Sequence, residues 1–250
     1  MNKKNIYFAS DFHLGSPNMD ESRKREKIII SWLDSIKNQA KSIYLIGDIF
    51  DFWYEYQTVV PKGFVRFISK LADLTEKGIE IHIIVGNHDL WMKDYLIQEC
   101  GVKIHHNPII ITENNKQIYI GHGDEITYNN LYLKILNKTF RNKICQWMFS
   151  RIHPNTALRI AHSWSNYSRS KGGKTEYLGT KKEHLEKFCI NHKLKNPNIN
   201  YYIFGHRHLP LDINVTENCK YINTGDWVDH YSFAIMKDQV ISLKFFKKSS

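Results

Sequence analysis

The sequence has little of what would place the chain in a membrane, outside the cell or in a zinc-ribbon class. It contains four cysteines, none of them in Cys-x-x-Cys spacing, so neither a zinc ribbon nor a thioredoxin-type motif is expected. Free thiols in a reducing cytosol are the simplest interpretation. No run of about 18 apolar residues occurs, and the amino terminus has no long apolar stretch, so we expect neither a membrane span nor a signal peptide.

Acidic residues are almost missing from one quarter of the chain. Residues 126–182 contain eleven Lys or Arg and one acid, Glu176, whereas the rest of the chain contains 24 basic and 24 acidic residues. The formal net charge of +10 therefore belongs entirely to this segment. A local basic surface for an anionic partner is the natural inference, and a solvated helical face is the alternative.

Strands and helices alternate through the first part of the chain. Short apolar stretches at 5–10, 42–46 and 80–85 predict buried strands, and residues 22–38 and 64–77 have helical periodicity. This alternation predicts βαβ units, whose ligand sites lie at the carboxyl ends of the strands. With 250 residues, 42% of them hydrophobic, the chain suits one α/β domain spanning residues 1–250.

Residues 126–175 break the alternation, and we expect them to form an inserted, basic, amphipathic helical hairpin that acts as a lid. A second helical stretch is expected from Arg151 to Trp164. Such a hairpin suits an anionic membrane surface or a lipid-lined groove, and the alternative is that its apolar residues pack it onto the core. The apolar positions at helical spacing in the first stretch are Leu133, Leu136, Phe140, Ile144, Trp147 and Met148.

Five short strands end in turns that hold Asp, Asn or His. Two divalent cations about 3.5–4 Å apart can clamp a phosphate and activate water at neutral pH, and an aspartate can bridge them. Mixed nitrogen and oxygen ligands suit Mn, Fe, Zn or Co better than Ca. A chance origin of the whole set is improbable, so the pattern predicts a two-metal site. In chain order the turns are Asp11–His13, Gly47–Asp51, Gly86–Asp89, Gly121–His122 and Gly205–His208.

These motifs resemble those of the calcineurin-like metallophosphoesterases, from Asp11 to His208. The resemblance implies a sandwich of β-sheets flanked by helices and two divalent metal ions, most simply Mn²⁺. It implies that His88 contacts the phosphate without binding metal and protonates the leaving oxygen. It also implies that Asp48 bridges the ions and that Asp48 and Asn87 take part in catalysis. The implied ligands are Asp11, His13, Asp48 and His208 for the first ion, and Asp48, Asn87, His122 and His206 for the second.

Asp51 and Asp89 also belong to these motifs, and we interpret both as residues that orient metal ligands. For Asp51 an acid at a helix N-terminus is an equally weighted alternative.

The finer resemblance is to the UDP-2,3-diacylglucosamine pyrophosphatases of lipid A biosynthesis, especially the forms from Bacteroidetes-like bacteria. It implies hydrolysis of a lipid-linked UDP-sugar to UMP and 2,3-diacylglucosamine 1-phosphate (lipid X). It also implies a cytoplasmic enzyme attached peripherally to the inner membrane. Well-studied members have Arg where this sequence has His88. The stretches that carry the resemblance are ASDFHLG at 9–15, GDIFDFW at 47–53, GNHDLWM at 86–92, GHGDE at 121–125, FGHRHLPLD at 204–212 and INTGDW at 222–227.

In that family the insert covers the acyl chains, and its polar side chains reach the sugar and its phosphate. Here Asn166, Arg169 and Lys171 occupy the corresponding region. We therefore expect them to bind substrate together with His88.

Two other classes of function stay open. One is a nuclease or nucleotide phosphodiesterase of the same superfamily, attracted to nucleic acid by the basic insert. The other is a non-enzymatic binding module that kept the fold. No separate nucleic-acid domain is evident and the ligand set is complete, so we expect an enzyme with neither a nucleic-acid partner nor an obligate protein partner.

Overall fold

The computed structural model describes residues 4–126, 135, 138–171, 176–177, 179–180 and 182–247, without the side chains of 162 and 164–171. This part of the chain contains the strands of two sheets, and its helices lie between strands in the sequence. The strands are β1 (Asn5–Ala9), β2 (Ala40–Ile46), β3 (Glu80–Ile84), β4 (Lys103–His105), β5 (Ile109–Glu113), β6 (Lys116–Ile120), β7 (Ile199–Phe204), β8 (Pro210–Thr216), β9 (Cys219–Thr224), β10 (Ser232–Lys237) and β11 (Val240–Phe245).

The helices include both of those that the periodicity predicts in the first part of the chain. The Asn18 side chain caps the first of them by accepting the N–H groups of Asp20 and Glu21, which explains why the helix begins there. The described helices are α1 (Met19–Ile36), α2 (Val65–Glu76), α3 (Tyr95–Cys100), α4 (Lys143–Phe149), α5 (Pro154–Lys171) and α6 (His184–Lys195).

The first sheet is antiparallel at one edge only, and the second sheet has a parallel centre with an antiparallel strand at each edge. The first has the order β11–β10–β1–β2–β3–β4, in which β1 to β4 are parallel. The second has the order β5–β6–β7–β9–β8, in which β6, β7 and β9 are parallel. Parallel neighbours end on the same side, so the turns after β1, β2 and β3 are adjacent, as are those after β6, β7 and β9.

Alternation along the strands explains the layered packing. In β1, Ile6 and Phe8 belong to the core cluster between the two sheets, together with Ile120 and Ile203 of the second sheet. The intervening residues, such as Tyr7, belong to the cluster that includes buried residues of α1, α2 and α3. The outer face of the second sheet packs in a third cluster with α6. The order of layers is therefore helices, sheet, sheet, helix, as the resemblance implies.

The insert follows β6 and contributes α4 and α5 to the described part of the chain. Both helices lie where the spacing predicts helical structure. The lid arrangement over 126–175 stays a prediction, because Leu133, Leu136 and all of 172–175 lie outside the described residues.

Two simpler expectations can be compared with the structure directly. All four cysteines are free, as the absence of paired spacing suggested. Among the helices described, none is long and apolar enough to cross a membrane.

Candidate metal centre

Most of the predicted metal ligands have an unusual backbone conformation. Their φ angles lie in the left-handed region, which residues other than glycine adopt rarely, although Asn, Asp and His do so more often. Such conformations cost energy and gather at functional sites, where the surrounding fold enforces them. The backbone therefore marks the same turns as the sequence motifs. The residues, with φ between 43° and 66°, are Asp11, His13, Asp48, His206 and His208.

Backbone hydrogen bonds hold these turns against one another. The Asp11 N–H donates to the Gly47 carbonyl at 3.1 Å, which joins the turns after β1 and β2. The Gly205 N–H donates to the His122 carbonyl at 3.1 Å, which joins the turns after β6 and β7. The His206 N–H then reaches across to Asp11 Oδ2 at 2.9 Å and connects the two sheets. The predicted ligands thus converge on one end of the sandwich.

Of the two oxygens of the buried Asp11 carboxylate, only Oδ2 accepts hydrogen bonds from the described residues. Its Oδ2 accepts hydrogen bonds from the His206 N–H and from the Ser10 hydroxyl. Its Oδ1 has no hydrogen-bond partner among the described residues and lies 3.3 Å from His208 Nε2. An orphaned carboxylate oxygen facing an imidazole nitrogen is the arrangement that two ligands of one cation require.

Asp48 lies between the imidazoles of the two predicted sites. Its Oδ1 accepts the His88 N–H at 3.0 Å. Its Oδ2 lies 3.3 Å from His122 Nε2 and 3.8 Å from His13 Nε2. Because metal–nitrogen bonds are about 2.0–2.1 Å long, two ligands of one ion lie about 3–4 Å apart. Asp48 Oδ2 is therefore placed to serve both sites, as a bridging carboxylate must.

Hydrogen bonding decides which imidazole nitrogen faces the site. His122 Nδ1 lies 2.8 Å from the Ile46 carbonyl, which can only accept, so the ring proton is on Nδ1. In the neutral ring the buried Nε2 therefore carries the lone pair, and this atom has no hydrogen-bond partner among the described residues. His208 Nδ1 likewise faces Asp226 Oδ2 at 3.2 Å, which leaves its Nε2 toward Asp11. Such partners orient histidine ligands and fix their tautomer.

The candidate ligand atoms gather into two groups that match the predicted pair of sites. The buried Asn87 Oδ1 has no hydrogen-bond partner within the described part of the chain, so it is available as a further oxygen ligand. This mixture of carboxylate, imidazole and amide donors fits Mn, Fe, Zn or Co. The groups, each with its atoms within 4.8 Å of one another, are Asp11, His13 and His208, and Asp48, His122 and His206.

A third group, His13, Asp51 and His88, has similar spacing but is a poorer metal site. The His13 ring presents Nε2 to Asp11 and only its Nδ1 to Asp51, at 3.6 Å. His88 Nδ1 is already occupied by the Asp51 carbonyl at 2.8 Å. We therefore interpret these contacts of Asp51 as ones that orient the rings of His13 and His88, and not as metal coordination. Among the described residues no helix begins at Asp51, which removes the alternative of a helix N-terminal acid.

The electrostatics of the site favour cations. Burial opposes a charge on His122, but the neighbouring Asp48 carboxylate outweighs burial and raises the pKa of His122 well above its usual value. Burial also opposes a charge on His13, yet hydrogen bonding to Asp11 and Asp51 raises its pKa to about 10. Carboxylates that draw protons onto buried imidazoles will exchange those protons for divalent ions.

Two glycines are required by the close approach of the turns. A Cβ on Gly86 would collide with Asp48 Oδ1 and with the Asp48 backbone nitrogen. A Cβ on Gly205 would lie 2.5 Å from Ser10 Oγ and 2.6 Å from Asp11 Oδ2. Both glycines precede proposed ligands, and their absent side chains leave the space in which the carboxylates sit.

Asp89 ties two ligand turns together, in agreement with its predicted orienting role. Its Oδ1 accepts the Gly86 N–H and its Oδ2 accepts the Ile49 N–H, both at 2.7 Å. Burial, together with the negative charge of Asp48, raises the pKa of Asp89 to about 6.

Sequence reasoning missed Asp226. Its Oδ2 faces His208 Nδ1, while its Oδ1 accepts the N–H groups of Val228, Asp229 and His230. Burial opposes a low pKa for Asp226, but its hydrogen bond to His208 and the backbone N–H groups hold the pKa well below the usual range. The Gly225-Asp226 pair follows a strand in the same way as Gly47-Asp48, and that signal could have identified it.

The predicted substrate-binding residues of the insert cannot be compared with the centre. Asn166, Arg169 and Lys171 lie in the last turns of α5, and their side chains are outside the described residues. Other insert residues do lie beside the site. Phe140 lines a cavity of about 50 Å³, whose other lining residues are Phe52, Trp53, Asn87, His88, Leu90 and Trp91. The cavity is too small for an acyl chain, but it places an insert residue next to two residues of the proposed centre.

 

Hydrogen bonds hold Phe140 and α4 beside this cavity. The Trp91 indole donates to the Phe140 carbonyl at 2.7 Å, and the Tyr54 hydroxyl donates to the Gln146 carbonyl at 2.8 Å. The Phe149 ring lies 4.7 Å from Trp91 and 5.0 Å from Tyr54, measured between ring centroids. Residues 140–149 of the insert are therefore attached to Tyr54 and Trp91, close in sequence to Asn87 and His88.

Comparisons with known proteins agree with this geometry. A protein of Porphyromonas gingivalis named UDP-2,3-diacylglucosamine hydrolase is 35% identical, over 97% of each chain. A protein of the same name from Histophilus somni is 26% identical, over 90% of this chain and 92% of its own. Among solved structures, Yfce, a phosphoesterase from E. coli, has 13% identity and a TM-score of 0.47, over 96% of this chain and 91% of its own. That structural likeness is too loose to carry an argument. The family model for calcineurin-like phosphoesterases matches residues 4–210, and the chain belongs to this family of metal-dependent hydrolases.

Proposed function

We propose that the protein hydrolyses the pyrophosphate bond of UDP-2,3-diacylglucosamine in lipid A biosynthesis, giving UMP and 2,3-diacylglucosamine 1-phosphate (lipid X). The observation that carries this proposal is the relative of that name, which is 35% identical over 97% of both chains. The convergence of the predicted ligands at one end of the sandwich supports the same chemistry.

The residues present fit two divalent cations, most simply Mn²⁺. Such ions, when bound, polarise the phosphoryl group and lower the pKa of water. In this proposal Asp48 serves both ions through Oδ2, which lies 3.3 Å from His122 Nε2 and 3.8 Å from His13 Nε2, while its Oδ1 accepts the His88 N–H. The proposed ligands are Asp11, His13, Asp48 and His208 for one ion, and Asp48, Asn87, His122 and His206 for the other.

His88 is the proposed proton-transfer residue. Its Nδ1 donates to the Asp51 carbonyl at 2.8 Å, so Nε2 faces Asp48 Oδ2, at 4.0 Å. The side chain is partly exposed, at 20%, so a substrate oxygen can approach Nε2. Burial lowers the pKa of His88, which eases release of a proton from the protonated ring to the leaving oxygen.

Helix α4 carries the surface that we assign to lipid. Ile144, Trp147 and Met148 are 68%, 58% and 60% exposed. Their spacing of three and four residues puts them on one face of α4. Lys143 and Arg151 are exposed next to them in sequence, and the Arg151 guanidinium lies 4.8 Å from the Trp147 ring. An exposed apolar face with basic neighbours fits peripheral attachment to the anionic inner membrane and a lipid-linked substrate.

Isotope labelling tests the proposed reaction. Purified protein with Mn²⁺ and UDP-2,3-diacylglucosamine in detergent, in water enriched in ¹⁸O, is expected to release UMP that carries the label. The reason is that the attacked phosphoryl group is the one next to uridine. Asp48→Asn serves as the control for contaminating hydrolases. Label in the lipid phosphate would refute the bond assignment, and faster hydrolysis of RNA or DNA than of the lipid would favour a nuclease.

A further inference from the structure

Arg207 separates two proposed metal ligands, His206 and His208, and its side chain leads away from the centre. Its Nε donates to Glu183 Oε2 at 3.0 Å, and its second terminal nitrogen donates to Glu183 Oε1 at 2.8 Å. The same nitrogen lies 3.2 Å from the Glu176 carbonyl. Glu183 immediately precedes α6, and Glu176 lies where the chain returns from the insert. One guanidinium therefore joins the His206–His208 turn to the end of the insert.

The Arg207–Glu183 ion pair has a specific geometry. Both guanidinium contacts go to separate oxygens of one carboxylate, which is the strongest and most directional form of ion pair. The Glu183 side chain is only 2% exposed and that of Arg207 is 22% exposed. Removing either partner alone would leave a charge in a site poorly reached by water, so the pair holds its arrangement firmly.

The turn that Arg207 holds is conformationally strained. His206 and His208 have φ angles of 66° and 53°, so both ligands beside Arg207 are in the left-handed region. Left-handed residues other than glycine persist only where surrounding contacts enforce them. The His206 N–H bond to Asp11 restrains one side of the turn, and the Arg207–Glu183 pair restrains its middle.

We propose that Arg207 is a positioning residue, which through Glu183 and the Glu176 carbonyl makes the placement of His206 and His208 depend on the segment that follows the insert. The position of the segment that contains Glu176 and Glu183 would then be coupled to the geometry of the metal centre. This inference rests on the metal ligands of the proposed function and does not depend on the identity of the substrate.

The test removes the pair without leaving a buried charge. The double variant Arg207→Met/Glu183→Gln is compared with Arg207→Lys, which keeps the charge but loses the two-pronged contact. Lys41→Met/Glu113→Gln is the matched control, because Lys41 contacts both Glu113 oxygens at 2.7 and 2.8 Å on residues outside the centre. Mn²⁺ binding is measured by titration calorimetry, and hydrogen exchange of α6 is measured by mass spectrometry with and without Mn²⁺.

We expect the double variant to bind the weaker Mn²⁺ ion about tenfold or more less tightly, in the range typical for residues that orient ligands. Arg207→Lys should be intermediate, and the control should match the wild type. In the wild type Mn²⁺ should slow hydrogen exchange at the start of α6, and in the double variant this effect should disappear. Unchanged Mn²⁺ affinity and unchanged Mn²⁺-dependent protection of α6 would overturn the inference, whatever happens to the melting temperature. Failure of the wild type to bind Mn²⁺ would instead refute the proposed metal centre.

Discussion

Truncation of two aromatic residues of α4 should affect different properties. Phe149→Ala should lower the stability of the protein, and Trp147→Ala should weaken its binding to vesicles. The Phe149 ring packs against Trp91 and Tyr54, at 4.7 and 5.0 Å between centroids, whereas Trp147 is 58% exposed. Replacing a fully buried Phe with Ala costs about 3–5 kcal/mol, so we expect about 2 kcal/mol for the half-buried Phe149. In a chain of this size, that cost lowers the melting temperature by about 4–8 °C.

Trp147→Ala should lower the melting temperature by only about 1–4 °C, because the contact of the exposed ring with Arg151 is worth about 0.5–1 kcal/mol. It should instead weaken binding to anionic vesicles. If about 60 Å² of the ring enters the lipid, the loss is about 1.5 kcal/mol, or roughly tenfold in partition. The kcat/KM for UDP-2,3-diacylglucosamine should fall with it, while hydrolysis of a soluble phosphodiester such as bis-p-nitrophenyl phosphate should not.

The assays are calorimetric melting, vesicle sedimentation at two salt concentrations, and hydrolysis of both substrates. Phe245→Ala is the matched control, because Phe245 is 57% exposed on an edge strand outside the insert. It should change neither vesicle binding nor lipid hydrolysis. Equal loss on lipid and soluble substrates in Trp147→Ala would refute the lipid-facing role. A stable Phe149→Ala variant would refute the packing argument. Binding that survives in Trp147→Ala but fades with salt would assign attachment to the basic residues alone.

Three further predictions concern the centre itself. Elemental analysis should find two Mn²⁺ ions per chain, EDTA should abolish activity, and Asp48→Asn should weaken both sites. Burial opposes a charge on His13, but hydrogen bonding to Asp11 and Asp51 raises its pKa to about 10, so Mn²⁺ must displace a proton from this ring. Mn²⁺ affinity should therefore rise with pH and binding should release protons, whereas one ion or none at saturation would contradict the two-metal centre. His88→Ala should lower kcat by roughly 10²–10⁴ with both metals retained, whereas loss of a metal would make His88 a ligand. Asp226→Asn keeps an oxygen for the backbone N–H groups, but the amide cannot accept a hydrogen bond from His208 Nδ1. Metal affinity or activity should therefore fall by about 10–100-fold with little change in melting temperature. An unchanged Mn²⁺ titration would show that Asp226 does not support the centre.

The strands and helices of the main domain were predictable because their signals are local. Alternation in β1 separates Ile6 and Phe8 from Tyr7, and the period of α1 follows from the spacing of its apolar residues. The insert was harder to interpret, since the same helical period is produced by packing against protein and by facing lipid. Only the structure separates Phe149, which packs on Trp91, from Trp147, which is exposed.

The candidate ligands were predictable for a different reason. Motifs such as Gly47-Asp48 combine a residue type that binds metal with a turn that brings it to a strand end. Asp226 has the same local pattern, but its partner His208 is distant enough in sequence that no spacing rule connects them. The role of Arg207 could not be predicted from the sequence, because an arginine in a turn usually extends into solvent. Its hydrogen bond to Glu183 depends on how the segment after the insert packs on the domain.

The amino-acid sequence by itself determined the alternation of strands and helices, the chemistry of the ligand set and the concentration of positive charge in the insert. These are properties of residue type and short-range order, and folding does not alter them. The tertiary structure decided which atom of each ligand faces the centre, which carboxylate oxygen is orphaned, and which aromatic residues are covered. Those outcomes depend on contacts between residues far apart in the chain, such as Asp11 with His206 and Arg207 with Glu183, whose geometry exists only once the two sheets pack together.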